Sequence, residues 1–301
     1  MLKRYFEVID EKCYNYEKVM NRQQLKQEWV DRLREMARRS QYIPKVIDDR
    51  LLLVFVNNCR ENTEMASKWL HKYYKLKSNT PEFHSERDPY SKSFKHAFEN
   101  LYFAALPNTP DNHFVFYHAL SNFEPRNYNF DEGVKCLLMM AEAKLFSEGP
   151  RAGALYIMDL KGVRFNHIFC PSIQSVKKGI EMLQTANPIL IKAVHVINSF
   201  WFMDLVFSMI KPFLKKEFFD RIHLHPIGSD LSNLFNTDVP KQLVPKELGG
   251  ECGTIKEHHE TTRKLIEELR EYFILEADQA SLKFDKYVNS QDYKYRHLYL
   301  T

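Results

Sequence analysis

The chain reads as an α/β protein preceded by a helical N-terminal module, and three observations lead there. Apolar residues recur at helical spacing through the first hundred positions. From about residue 111, short apolar runs rich in β-formers alternate with helical stretches, the pattern of neighbouring parallel strands covered by helices. With 301 residues, 44% hydrophobic and 27% charged, the chain has the apolar content for a sizeable core and a globular composition.

The elements follow in order. In LKQEWVDRLREMARRS, Leu25, Trp29, Leu33 and Met36 share a helix face, and Pro44 stops the run. Asp48 or Asp49 caps a short buried helix, RLLLVFVNNC. Asn62 or Thr63 starts another, in which Met65, Trp69, Tyr73 and Leu76 align. Pro81 and the Asp88-Pro89 pair end the helical region. HFVFYHAL is the first strand, and a helical segment over roughly 130–147 follows it. GALYIMDLKG (153–162) is the second strand, followed by a helix that ends at Asn187-Pro188. KAVHVINS (192–199) and RIHLHPIG (221–228) are the third and fourth strands, and a last amphipathic helix spans about 255–280. The tail KYVNSQDYKYRHLYLT takes no assignment. The expected division is a helical domain over 1–95, an α/β domain over 96–255, and a C-terminal helix and tail over 256–301.

Between the last two strands lies SFWFMDLVFSMIKPFLKKEF (199–218), read here as one helix. Asp204, Ser208, Lys211 and Lys215 would form a single narrow polar stripe on it, and nearly everything else is large and apolar. An ordinary surface helix has the reverse proportion. Its charges leave uncharged runs far shorter than the ~20 residues of a membrane span. Two readings remain: a helix buried in a large core, or one with two apolar duties, toward a cavity and toward a membrane.

Composition and motifs exclude several classes. The net charge of +4 suits contact with an anionic membrane and is too small to indicate nucleic acid. Five scattered cysteines without a CxxC pair fit neither a disulfide framework nor a zinc ribbon, and point to a reducing compartment. MLKRYFEVID is not a signal or transit peptide, so a cytoplasmic protein with peripheral membrane contact is expected. No phosphate-binding glycine motif and no GxSxG elbow is present. His223-x-His225, with Asp220 nearby, reads as structural histidines rather than metal ligands. His258-His259-Glu260 reads as a solvated helix face, and HKYYKLK as a packed amphipathic helix. No catalytic residue, metal or cofactor is assigned.

Four ordered stretches carry a resemblance: ALYIMDLKGVRFNH (154–167), VHVINSFWFMDLVFSMIKPFL (194–214), RIHLH (221–225) and LVPKELGG (243–250). They resemble the CRAL-TRIO lipid-transfer family, whose pattern is a strand ending Asp-Leu-x-Gly, a His-x-Ile-Asn strand, a Lys-Pro-Phe-Leu helix end and a Pro-x-Glu-x-Gly-Gly close. DDRLLLVFVNNC and KWLHKYYKLK look like the helical module that precedes that domain. The resemblance implies a mostly parallel mixed sheet flooring a lipid pocket, closed by a mobile helical lid at about 198–218. The ligand would be a neutral tocopherol-, retinoid-, carotenoid- or other isoprenoid-like molecule, moved between membranes without chemistry.

Position by position, the resemblance implies a lining. Gly133, Cys136 and Met140 come from the helix over 130–147, and Ala154 and Met158 from one face of the second strand. Met182 and Leu183 close one side, and Ile189, Ile191 and Val194 belong to the third strand and its approach. The lid adds Met203, Val206, Met209 and Ile210. Phe200, Trp201, Phe202, Phe207, Phe213 and Leu214 are its expected membrane contacts. Lys192, Lys211, Lys215, Lys216 and Arg221 supply charge for anionic lipids or phosphoinositides. Three departures stand against phosphoinositide-coupled release: Leu190 occupies one of two basic positions, VNNC replaces Leu-Arg-Ala-Arg, and Glu217 stands next to Lys216. The second functional reading is a phosphoinositide-sensing or vesicle-trafficking adaptor that uses the same fold without transfer. A lipid hydrolase has no nucleophile–base arrangement to support it.

Overall fold

The computed structural model describes residues 2–280 except 24, 45–46, 61, 186, 232–233 and 235–237, so the unassigned tail lies outside the described residues. The N-terminal portion is helical: α1 (Leu2–Lys12), α2 (Tyr16–Gln23), α3 (Gln27–Ala37), α4 (Asp49–Asn58), α5 (Thr63–Asn79) and the single turn α6 (Pro81–His84). Asp48 accepts the amide of Arg50, and Asn62 that of Met65, so the first of each pair of candidate caps does the capping. Leu51 through Val56 are all buried, which is why α4 carries no polar face. Helix α7 (Lys92–Asn100) then leads into the sheet.

Five strands lie side by side in chain order: β1 (Leu101–Leu106), β2 (His113–Leu120), β3 (Gly153–Asp159), β4 (Ile191–Ser199) and β5 (Ile222–Pro226). β1 and β2 are antiparallel, and the remaining pairs are parallel. β1 is not among the strands expected from sequence. Its run LYFAAL follows α7 without a turn residue to mark the change.

Parallel strands added in chain order send every crossover the same way, so their helices gather on one face. These are α8 (Phe130–Glu148), α9 (Ile173–Thr185) and α10 (Met203–Ile210). The opposite face packs Leu155, Ile157, Ala193 and Ile197 against Val239, Val244 and Ile255. Helix α12 (Ile255–Glu268), numbered after the single turn α11 (Lys216–Phe219), runs along β1. His259 Nδ1 accepts the amide of Phe103 at 3.1 Å, and Thr262 Oγ1 that of Ala105 at 2.8 Å. Amides on the open side of an edge strand are thus satisfied and the edge is covered. His259 is buried, not on a solvated face as its sequence suggests; the sheet edge needed an acceptor there.

The helix expected over 255–280 breaks after Glu268, and α13 (Arg270–Ala280) turns back onto α1, where Tyr5 stacks on Tyr272.

Candidate ligand cavity

Between the sheet and its crossover helices lies a cavity of about 430 Å³. That is within the usual 300–1,000 Å³ of small-molecule sites. Its floor comes from Tyr156 and Met158 of β3, Val194 and Val196 of β4, and Ile222 of β5. α8 contributes Phe130, Gly133, Val134 and Leu137, one face at i, i+3, i+4 and i+7. α9 contributes Val176, Ile180 and Leu183 at similar spacing.

The remaining wall is α10. Met203, Val206, Phe207 and Ile210, again at i, i+3, i+4 and i+7, face the cavity. Asp204, Leu205 and Ser208 are exposed on the other side, and Met209 is exposed while still bordering the cavity. The helix ends at Ile210, and Pro212 lies in the following 3₁₀ turn Lys211–Phe213. Residues 199–218 are therefore not one helix, and the polar stripe is interrupted where proline removes a backbone donor. Both ends of this wall are tied down. Before it, Asn198 adopts φ +53°, a left-handed conformation that asparagine tolerates, and its Nδ2 donates to Asp159 Oδ1 at 2.7 Å. After it, Gln184 of α9 donates to the carbonyl of Phe213 at 2.7 Å and accepts the amide of Lys215 at 2.9 Å.

Of the sequence-derived lining, Gly133, Met158, Met182, Leu183, Ile191, Val194, Met203, Val206, Met209 and Ile210 are brought together around this cavity. Cys136, Met140, Ala154 and Ile189 are not: each is buried in the packed core. Cys136 and Met140 sit on the packed side of α8. Ala154 has the same strand parity as Met158 but lies too near the start of β3.

Among the expected membrane contacts, Phe200, Phe202, Phe207 and Leu214 turn inward to the cavity. Phe213 lies beneath the Lys177 ammonium, which is 6.0 Å from its ring. Trp201 alone of that set is strongly exposed, at 85%. The outward apolar surface instead includes Leu205, Met209, Phe165 and Phe169, with Phe165 edge-on to Phe202 at 5.6 Å. His118, Tyr128 and His167 also line the cavity and were missed, because nothing in the alternation of a strand or a short turn marks an inward histidine.

Lys192, Lys211, Lys215 and Lys216 are exposed. Arg221 is partly committed, its Nη1 donating to the carbonyl of Ile191 at 2.6 Å. Lys215 also borders a second groove of about 550 Å³, shared with Lys72 and Lys75 of α5 and Lys177 and Lys178 of α9. Lys178 pairs with Glu82 at 2.7 Å. On the far side of the sheet His195 stacks on His223 at 5.1 Å and lies 3.2 Å from His225 Nε2. Among the described residues, no group of three or more His, Cys, Asp or Glu side chains is arranged to hold a metal, and no helix is long and apolar enough to cross a membrane.

Comparison with known proteins places this architecture. Residues 100–250 match the CRAL/TRIO domain, and residues 22–94 the Pinta-like UBA domain. The chain is 33% identical over 241 residues to the mouse (Mus musculus) alpha-tocopherol transfer protein-like protein, covering 77% of this chain and 68% of that one. It is 23% identical over 209 residues to rat (Rattus norvegicus) clavesin-2, covering 67% of this chain and 62% of the relative. Among solved structures, Sfh5 aligns with a TM-score of 0.44 and 14% identity over 62% of this chain and 70% of that one. A domain match over half the sequence, a relative of that identity spanning most of both chains, and a five-stranded, mostly parallel sheet together establish that the chain belongs to the CRAL-TRIO family of lipid-binding and transfer proteins.

Proposed function

We propose that this protein holds one neutral hydrophobic molecule, of the tocopherol, retinoid, carotenoid or wider isoprenoid kind, and carries it between membranes. In this reading α10 is the lid and opens at the bilayer surface. The observation that carries it is the two-sidedness of that wall. Its inner side closes an apolar cavity, while Leu205 on its outer side and Trp201 just before it stay in solvent, where an ordinary core helix would have covered them.

The need for a carrier is easily sized. Each CH₂ that leaves a bilayer for water costs ~0.8 kcal/mol, so a tail of about fifteen carbons costs about 12 kcal/mol, or roughly eight orders of magnitude in desorption. A dry cavity delivered to the membrane removes most of that barrier. Among the described residues the cavity wall is built almost wholly of aliphatic and aromatic side chains, which suits an apolar cargo. The name of the mouse relative points to the same ligand class. A reducing, cytoplasmic setting is supported by five free cysteines.

The basic groove between α5 and α9 favours a second reading, an adaptor that recognises anionic headgroups without transfer. Native mass spectrometry of the purified protein, followed by organic extraction, separates the two. One discrete apolar molecule per chain is expected. An empty protein that takes up nothing from a membrane extract yet binds anionic vesicles would replace the carrier with the adaptor.

A further inference from the structure

Apart from Tyr156, whose hydroxyl meets the Asn187 side chain, the polar groups of the cavity gather at one end. Near the C-terminal ends of β2 and β3 its wall includes His118, Tyr128, Asp159 and His167, and among the described residues no lysine or arginine contributes to it. Asp159 is already engaged: it accepts the Tyr117 hydroxyl at 2.9 Å, Asn198 Nδ2 at 2.7 Å and the amide of Lys161 at 2.8 Å.

His167 is not fully engaged. It is only 5% exposed, in the 3₁₀ turn Phe165–Phe169, with its ring set against Tyr128 at 5.8 Å. Its Nδ1 accepts the amide of Arg164 at 3.0 Å, and the carbonyl of the same residue lies farther off, at 3.3 Å. A backbone N–H aimed at Nδ1 requires a lone pair there, and burial disfavours the charged ring. The proton therefore sits on Nε2, which is buried and has no hydrogen-bond partner. Leaving such a donor unpaired costs about 1–3 kcal/mol.

His118 is its complement. Its Nδ1 lies 3.0 Å from the carbonyl of Tyr102, an oxygen that can only accept, so Nδ1 carries the proton and Nε2 keeps a lone pair. Burial holds this ring's pKa down to about 4, so it is neutral near pH 7.

We propose that this end of the cavity is a headgroup subsite for a neutral lipid alcohol, whose oxygen accepts from His167 Nε2–H and whose proton is offered to His118 Nε2. The inference rests on the carrier reading and narrows its ligand. A hydroxyl both accepts and donates, as the two rings require. A carboxylate meets no cation here and faces Asp159, and a bare hydrocarbon leaves the His167 donor unpaired.

The test presents the protein with phosphatidylcholine vesicles that carry equal amounts of hexadecanol, 1-methoxyhexadecane, hexadecane and palmitate. The protein is then re-isolated and what it holds is quantified. Hexadecanol should exceed hexadecane by roughly 5- to 150-fold, as a buried hydrogen bond of that size implies, with the ether between them and palmitate excluded. In His167→Asn the amide oxygen can take the place of Nδ1 and keep the Arg164 amide, while the Nε2 donor is gone. The alcohol excess should then fall toward parity with hydrocarbon uptake unchanged. Parity in the wild type, a preference for palmitate, an ether bound as well as the alcohol, or an undiminished excess in His167→Asn would each overturn the alcohol subsite while leaving the carrier standing. Uptake of no probe at all by the folded protein would sink the carrier reading, and the subsite with it.

Discussion

Glu142 shows how a single residue can join three parts of the chain. It projects from α8 onto Arg87, which also pairs with Glu276 of α13, while Lys77 of α5 pairs with Glu276 and donates to the Tyr73 hydroxyl at 3.0 Å. Tyr272 donates to Glu142, and the Arg87 guanidinium lies 4.8 Å from the Phe273 ring centre. Burial alone would raise the Glu142 carboxyl, but Arg87 and Lys77 overcome it and hold the group down at about 2. Replacing Glu142 with Gln removes one carboxylate and leaves Arg87 buried with less compensation. A loss of about 3–5 kcal/mol in urea-unfolding stability is expected. Because the folded pKa lies below the ordinary 4.5, the contribution is complete above that pH and is lost as pH falls toward 2. The gap between wild type and Glu142→Gln should therefore narrow over that acid window. A constant gap from pH 6 to pH 3 would show that ionised Glu142 is not what stabilises the seam.

At the scale of elements, α10, the lid of the proposed function, is a short helix, and the segment after it is held by the two hydrogen bonds of Gln184. At about 0.5–1.5 kcal/mol each, their removal in Gln184→Ala should favour opening by roughly 1–3 kcal/mol. Ligand release to acceptor vesicles should speed up about 5- to 100-fold with little change in urea stability, measured by stopped-flow with a fluorescent lipid. An unchanged rate would move the hinge elsewhere.

The same elements show what could be read from sequence. The motif residues that impose backbone geometry were legible. Asp159 and Asn198 join two strand ends, and Gly250 leaves no room for a Cβ, which would fall 2.0 Å from the Val244 carbonyl oxygen. Strand parity was legible for Met158. The phase of α8 was not, because that helix is apolar on its cavity side and on its packed side alike, so Cys136 and Met140 looked no different from Val134 and Leu137. The inward turn of Phe200, Phe202 and Phe207 was hidden for the same reason.

In the proposed carrier the whole molecule meets a membrane through two unlike surfaces near α10. One is apolar: Trp201, Leu205 and Met209 on the lid with Phe169 beside its approach. The other is the groove of Lys72, Lys75, Lys177 and Lys215, which joins the helical N-terminal portion to the cavity wall just beyond the lid. Electrostatic attraction to an anionic leaflet is worth about 1 kcal/mol per basic residue and fades beyond a Debye length of about 8 Å at physiological salt. Changing Lys72, Lys75 and Lys177 together to Gln should weaken sedimentation with vesicles rich in phosphatidylserine by on the order of 100-fold at low salt. The deficit should shrink as salt is raised and be absent on phosphatidylcholine alone. Trp201→Ala combined with Leu205→Ser should instead weaken binding to both kinds of vesicle and stay largely insensitive to salt, since apolar insertion is not screened. Neither set touches the cavity wall, so both variants should carry as much extractable lipid as the wild type. If the lysine variant lost its cargo, or the aromatic variant failed only on charged vesicles, docking and cargo-holding would not be separable surfaces, and the lid could not open at the membrane in the way the proposed function requires.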